Sequence, residues 1–258
     1  MIRRLRDERD TLAEHLQDLQ ESTRLPSSQL EKDFWLTEAL RGVAETADEL
    51  GIPVYFKGGT SLSKVYGIIE RFSEDVDVLV GLPKTGAVMS ANQRKRTLEQ
   101  LANGAGAATG LTPVVDPAKT RKGDKRAVHL PYPEAGDHGL GMPPLRPEGV
   151  MVELGRWGGS QPHQQTQLGS VLAGHADDLG LEPFEEQTPL TINVVDPVRT
   201  AVEKLLLLQT AAADPDEQRR RTVARHDYDV WCLLRHPPTS RQLQQPDTTA
   251  SIADDVVV

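Results

Sequence analysis

The chain has 258 residues, with 29 basic and 38 acidic side chains and a net charge of −9. That length allows one large domain or two small ones with a real core, and the acidic balance excludes nucleic-acid binding spread over the whole surface, so any such contact has to use local patches. A single cysteine, Cys232, excludes an intramolecular disulfide framework, and no apolar run approaches the roughly 20 residues needed to span a bilayer. The charged start, Met1 to Asp10, is followed by no signal-peptide core, and the expectation is a cytoplasmic protein without membrane contact.

Residues 1–27 read as a charged helical arm that Pro26 interrupts. Ser28-Gln29-Leu30-Glu31 has the form of a capping box opening a second helix that runs to about Leu50. Leu30, Phe34, Leu36, Leu40 and Val43 give it an apolar stripe, and Phe34 and Trp35 read as core aromatics before substrate contacts.

The next segment carries the most chemistry. An apolar strand, Val54-Tyr55-Phe56, leads into the small-residue turn Lys57-Gly58-Gly59-Thr60-Ser61-Leu62-Ser63-Lys64 and a helix, and the chain returns as a strand carrying Asp75-Val76-Asp77. Residues i and i+2 of a strand point to the same face, roughly 6–7 Å apart. Carboxylates so spaced can share divalent cations, and a glycine turn lets backbone N–H groups approach phosphates. That is a plan for moving a nucleotidyl group from a metal-bound nucleoside triphosphate. Either half alone is also an ordinary turn or a solvated strand end.

Residues 91–107 read as a helix ending near Gly110. The basic run Arg121-Lys122-Gly123-Asp124-Lys125-Arg126 precedes a strand from Ala127 to Tyr132, and Pro131 to Pro147 reads as a loop without assigned chemistry. Val150-Met151-Val152-Glu153-Leu154 is a short apolar strand with one carboxylate. A Glu there is costly unless paired, protonated or metal-bound, so Glu153 is either a third carboxylate of the site or a strand-end residue paired to Arg156.

Thr191 to Val195 reads as a strand, after which Asp196-Pro197 caps and starts a largely buried helix. Lys204 sits on that apolar surface, either snorkelling to water or reaching into the cleft as a point charge for phosphates. In a second helical segment Arg225 and Asp229 fall four apart, with His226 between them as an orienting partner.

The motifs resemble, in order, those of the AbiEii/MenT-like nucleotidyltransferase toxins, the toxin half of type IV toxin–antitoxin systems within the polymerase-β-like nucleotidyltransferase superfamily. The resemblance rests on Glu31 to Trp35, Lys57 to Lys64 with Arg71 to Asp77, Glu153 to Gly159, Glu203-Lys204-Leu205, and Ala224 to Trp231. It implies an α/β (α+β) fold: a polymerase-β-like core over 28–195 with a mixed sheet flanked by helices, then a helical region over 196–236 completing the site. Residues 237–258 read as a polar, flexible tail of a shortened member, the resemblance fading beyond Arg235. The resemblance implies Asp75 and Asp77 as ligands of Mg²⁺ or Mn²⁺. Lys57, Gly58, Gly59, Thr60, Ser61 and Lys64 would hold the NTP, with Lys204 on its phosphates and Glu153 or Asp229 assisting the incoming hydroxyl. Arg71 either joins the cations on the phosphates or pairs with Glu74 structurally. The implied acceptor is the 3′ end of tRNA and the implied regulator an antitoxin. Transfer to a protein or small-molecule hydroxyl, and non-catalytic nucleotide binding, are the other classes left open.

Overall fold

In a computed structural model of the chain, residues 2–82, 89–135, 149–213 and 225–257 are described; most of the loop expected over Pro131 to Pro147, and Ala224, lie outside them. A 3-10 turn at Leu5–Asp7 precedes α1 (Arg9–Thr23), whose Leu12, Leu16 and Leu19 are buried together with Leu5. The chain leaves α1 through Arg24 in the left-handed region and enters α2 (Ser27–Leu50) directly behind Pro26. The capping box expected at Ser28 does not form. Glu31 turns inward instead, accepting hydrogen bonds from Trp35 Nε1 at 3.4 Å and from the Ala135 N–H at 2.8 Å. The apolar stripe of α2 behaves as its spacing predicts: Leu30, Phe34, Leu36, Leu40 and Val43 are all buried, each contributing about 1.5–3 kcal/mol of transfer free energy.

Strand β1 (Val54–Lys57), α3 (Gly58–Lys64) and β2 (Asp75–Val80) follow, with β2 returning antiparallel to β1. Then come α4 (Ala91–Thr109), the short β3 (Val114–Val115), β4 (Lys125–Leu130) and β5 (Val150–Gly155). After these are β6 (His163–Leu168), a one-turn α5 (Val171–Gly174) and β7 (Leu190–Val195). The strands form one mixed seven-stranded sheet in the order β3-β4-β5-β2-β1-β7-β6, so β1 and β2 sit near its centre. Strand alternation sends Phe56, Val76, Val78, Val80, Val152, Leu154, Ile192 and Val194 into the main core with α2 and α4. Lys57, Asp75, Asp77 and Glu153 therefore share the opposite face.

Helices α2 and α4 approach closely enough that a Cβ on Gly42 or Gly104 would collide with the facing helix. The C-terminal part comprises α6 (Pro197–Ala212), α7 (Arg225–Arg235), α8 (Pro237–Leu243) and α9 (Pro246–Val257). The flexible tail expected over 237–258 is thus two helices. Ile252 of α9 packs on Val198 and Val202 of α6, which a sequence rich in Thr, Gln and Pro conceals because so few apolar residues make the contact. No helix of the described residues is long and apolar enough to cross a membrane.

Candidate active site

The sheet register assembles the site. Asp77 on β2 is paired with Lys57 on β1 on one side and with Glu153 on β5 on the other, so all three point the same way, with Asp75 two residues along. Gly58 follows at φ +80°, and a Cβ there would run into the Asp77 carboxylate. Only glycine lets the turn and the carboxylate occupy adjacent space. Burial, then the charges of Glu153 and Asp75, push the Asp77 carboxyl up to about 6.

The turn is held from within. Thr60 Oγ1 donates to the Asp75 carbonyl at 2.5 Å and lies 2.9 Å from Ser73 Oγ, while Ser61 Oγ donates to the Gly58 carbonyl at 2.9 Å. Both residues are buried. Their hydroxyls support the turn from within. The Lys64 ammonium pairs with Asp33 at 2.5 Å, and Asp33 in turn accepts from the Val171 N–H at 2.7 Å. Lys57 stays on the site face and pairs with Glu203 at 2.7 Å.

From the other side, α6 and α7 deliver the remaining groups. Lys204 is buried, with its Nζ 3.0 Å from Asp229 Oδ2 and 2.8 Å from His226 Nδ1. Arg71 donates to both Asp229 oxygens, at 2.7 and 2.6 Å. The expected Arg71–Glu74 pair is thus replaced by a bidentate one that joins the loop before β2 to α7. Asp229 is fully buried. Burial pushes its carboxyl up, but His226, Arg71 and Lys204 outweigh that and hold it well below the usual carboxylate range. These contacts tie Arg71 and Lys204 to α7. Burial lowers the Lys204 ammonium despite Asp229.

Glu153 does not pair with Arg156. It accepts from Lys125 and, at 3.0 Å, from Lys119, and although burial raises its carboxyl, Lys125 and Lys119 bring it below its ordinary value. Arg156 is held by Asp124 at 2.6 Å instead. The pairing of Lys119 and Lys125 with Glu153 was not anticipated; the basic run around Lys125 was its signal in the sequence.

Asp77 stands between two small clefts. One, of about 100 Å³, is walled by Gly58, Gly59, Arg71, Ser73, Asp75, Lys204, Arg225 and His226. The other, of about 170 Å³, is lined by Lys57, Lys125, Glu153 and Trp157. Larger cavities of about 450 and 340 Å³ lie elsewhere, beside α8 and between α2 and α3, and neither is lined by Asp75 or Asp77. Among the described residues, no group of three or more His, Cys, Asp or Glu side chains forms a complete metal cage. Mg²⁺ is commonly held by one or two carboxylates, with water and substrate phosphates supplying the other ligands. Asp75 and Asp77 fit that donor set.

The fold thus gathers a paired-carboxylate strand, a glycine turn, the buried Lys204 and the partly exposed Arg71 on one side of the sheet, and the family of the chain makes it a nucleotidyltransferase. The family model described as nucleotidyl transferase AbiEii toxin, type IV TA system, matches residues 41–252, and the chain belongs to that family. The match runs through most of α9, past Arg235, where the resemblance was expected to fade. Among solved structures the chain is similar to MenT4, a nucleotidyltransferase toxin from Mycobacterium tuberculosis H37Rv, at 16% identity and a TM-score of 0.42, covering 96% of this chain and 88% of that one. No curated protein matches.

Proposed function

We propose that the chain transfers a nucleotide from an NTP to the 3′-terminal hydroxyl of an RNA, with tRNA as the acceptor, in the cytoplasm and under control of an antitoxin. The observation that carries this reading is the register that puts Lys57, Asp77 and Glu153 in one row with Asp75 beside them. A divalent ion held by Asp75 and Asp77 would neutralise charge on the triphosphate. Lys204, Arg71 and Arg225 on the cleft wall attract the phosphates, with Lys204 and Arg71 kept in place by Asp229. The acceptor oxygen attacks the α-phosphorus as the bond to the pyrophosphate oxygen breaks; the hydroxyl proton passes to Glu153 or to water, and pyrophosphate leaves. Blocking the tRNA 3′ end would stop aminoacylation and growth.

Incubation with Mg²⁺, each α-³²P nucleoside triphosphate and total tRNA tests this. Label on tRNA that Asp75→Ala loses is the expected result and identifies the nucleotide. Label on protein instead, or none on any acceptor with the chain folded, would sink the RNA reading.

A further inference from the structure

The second cleft beside Asp77 has a wall that the transfer chemistry leaves unused. Trp157, just after β5, is 46% exposed and lines the same space as Lys57, Asp77 and Glu153. A lone exposed apolar side chain needs no explanation, but this one is braced from behind. The Arg156 guanidinium lies 3.9 Å from the indole centroid and is itself tied to Asp124. Arg156 is 7% exposed. The indole is therefore a fixed plate whose exposure belongs to the surface that Arg156 does not cover.

A cationic track reaches the same cleft. Residues 119–125 contain Lys119, Arg121, Lys122 and Lys125 against one acid, Asp124, in a chain whose net charge is −9; Arg126 points to the other face of the sheet, where it pairs with Glu99. Arg121 and Lys122 are exposed; Lys119 and Lys125 reach Glu153. The NTP phosphates already have cations in the first cleft, where Lys204, Arg71 and Arg225 stand. A second set, beyond Asp77, matches a second polyanion. An aromatic plate joined to a basic track is what a single-stranded nucleic acid needs, since the plate accepts any base face and the cations take the phosphates.

Resting on the nucleotidyltransferase reading above, we propose that the Trp157 cleft is the subsite for the acceptor's terminal nucleotide. An unpaired 3′-terminal base stacks on Trp157, its ribose hydroxyls face Asp77 and Glu153, and the preceding phosphates follow the basic segment from Lys119 to Lys125. Trp157 is here a binding residue for the acceptor and Arg156 its positioning residue.

The test separates binding from transfer. A short fluorescein-labelled single-stranded RNA with a free 3′ end is titrated, without NTP, against wild type, Trp157→Ala, Trp157→Phe and the double variant Arg121→Glu/Lys122→Glu. Trp157→Ala is expected to weaken RNA binding about tenfold or more, and Trp157→Phe to keep most of it. The double variant should weaken it too and flatten the dependence of log K on log salt. In transfer assays the KM for RNA rises in Trp157→Ala while the KM for NTP holds. Unchanged RNA binding in both Trp157→Ala and the double variant overturns the proposal. So does a rise in the KM for NTP alone, which would give the plate to the NTP base. Binding through Trp157 with no nucleotide moved would uphold the subsite while defeating the transfer reading. Transfer to RNA that Trp157→Ala leaves unaffected would do the reverse.

Discussion

Asp229 is the counter-ion shared by two cations beside the cleft. It is fully buried and paired with Arg71 and Lys204, so Asp229→Asn leaves two cations facing each other without their counter-ion. Breaking a buried pair costs about 3–5 kcal/mol, to be read from denaturant melts at neutral pH. Because its carboxyl is depressed in the folded chain, the folded state binds fewer protons here than the unfolded state. This stability is present in full above the unfolded carboxylate pKa of about 4 and is lost as pH falls below it. The gap between wild type and Asp229→Asn should therefore close in acid; a gap independent of pH would mean that the carboxylate charge is not what Arg71 and Lys204 feel. Gly58 imposes a steric demand instead. Gly58→Ala puts a Cβ against the Asp77 carboxylate at φ +80°, costing about 1–2 kcal/mol of backbone strain. Nucleotide transfer should fall well beyond what that loss of stability explains, and normal transfer by this variant would remove Asp77 from the site.

At the scale of elements, α9 is the unexpected one. Its Ile252 fills a small cluster with Val198 and Val202, and its Asp255 bonds Arg199 at 2.9 Å. Arg199 also reaches Glu203 at 3.1 Å, which holds Lys57 at 2.7 Å. A chain of ion pairs thus runs from the last helix to the row of site residues. Ile252→Ala opens a cavity and should cost about 2–5 kcal/mol, measured by thermal or denaturant unfolding. A change below about 0.5 kcal/mol, the range of ordinary surface substitutions, would show that α9 is not docked. The motif helix α2 is structural as well. Lys32 donates to the Gly149 carbonyl at 2.7 Å and Asp33 holds Lys64, so these charged residues brace the start of β5 and α3.

Across the whole molecule, the N-terminal arm is part of the core. Leu5, Leu12, Leu16 and Leu19 are buried in the main cluster, and Arg6 pairs with the fully buried Glu186 at 2.8 Å. Four such leucines contribute roughly 6–12 kcal/mol at full burial, comparable with the entire stability of an ordinary domain. Deleting residues 2–25 should therefore leave a chain without a cooperative melt; a sharp transition near that of wild type would refute this placement. What the sequence by itself determined was local: helix ends at Gly51 and Gly110, the Asp196-Pro197 start, strand alternation around Asp75 and Asp77, and the order of the motifs, because turn chemistry and side-chain period act over a few residues. The partners were decided only by tertiary structure. Arg71 finds Asp229, Lys64 finds Asp33, and Glu153 finds Lys119 and Lys125, since each pair joins residues distant in the chain that only the sheet order and helix packing bring within reach. The docking of α9 was hidden for the same reason: Ile252, Ala253 and Val256 make a short apolar stripe at the end of a polar segment, and its value comes from the surface it meets.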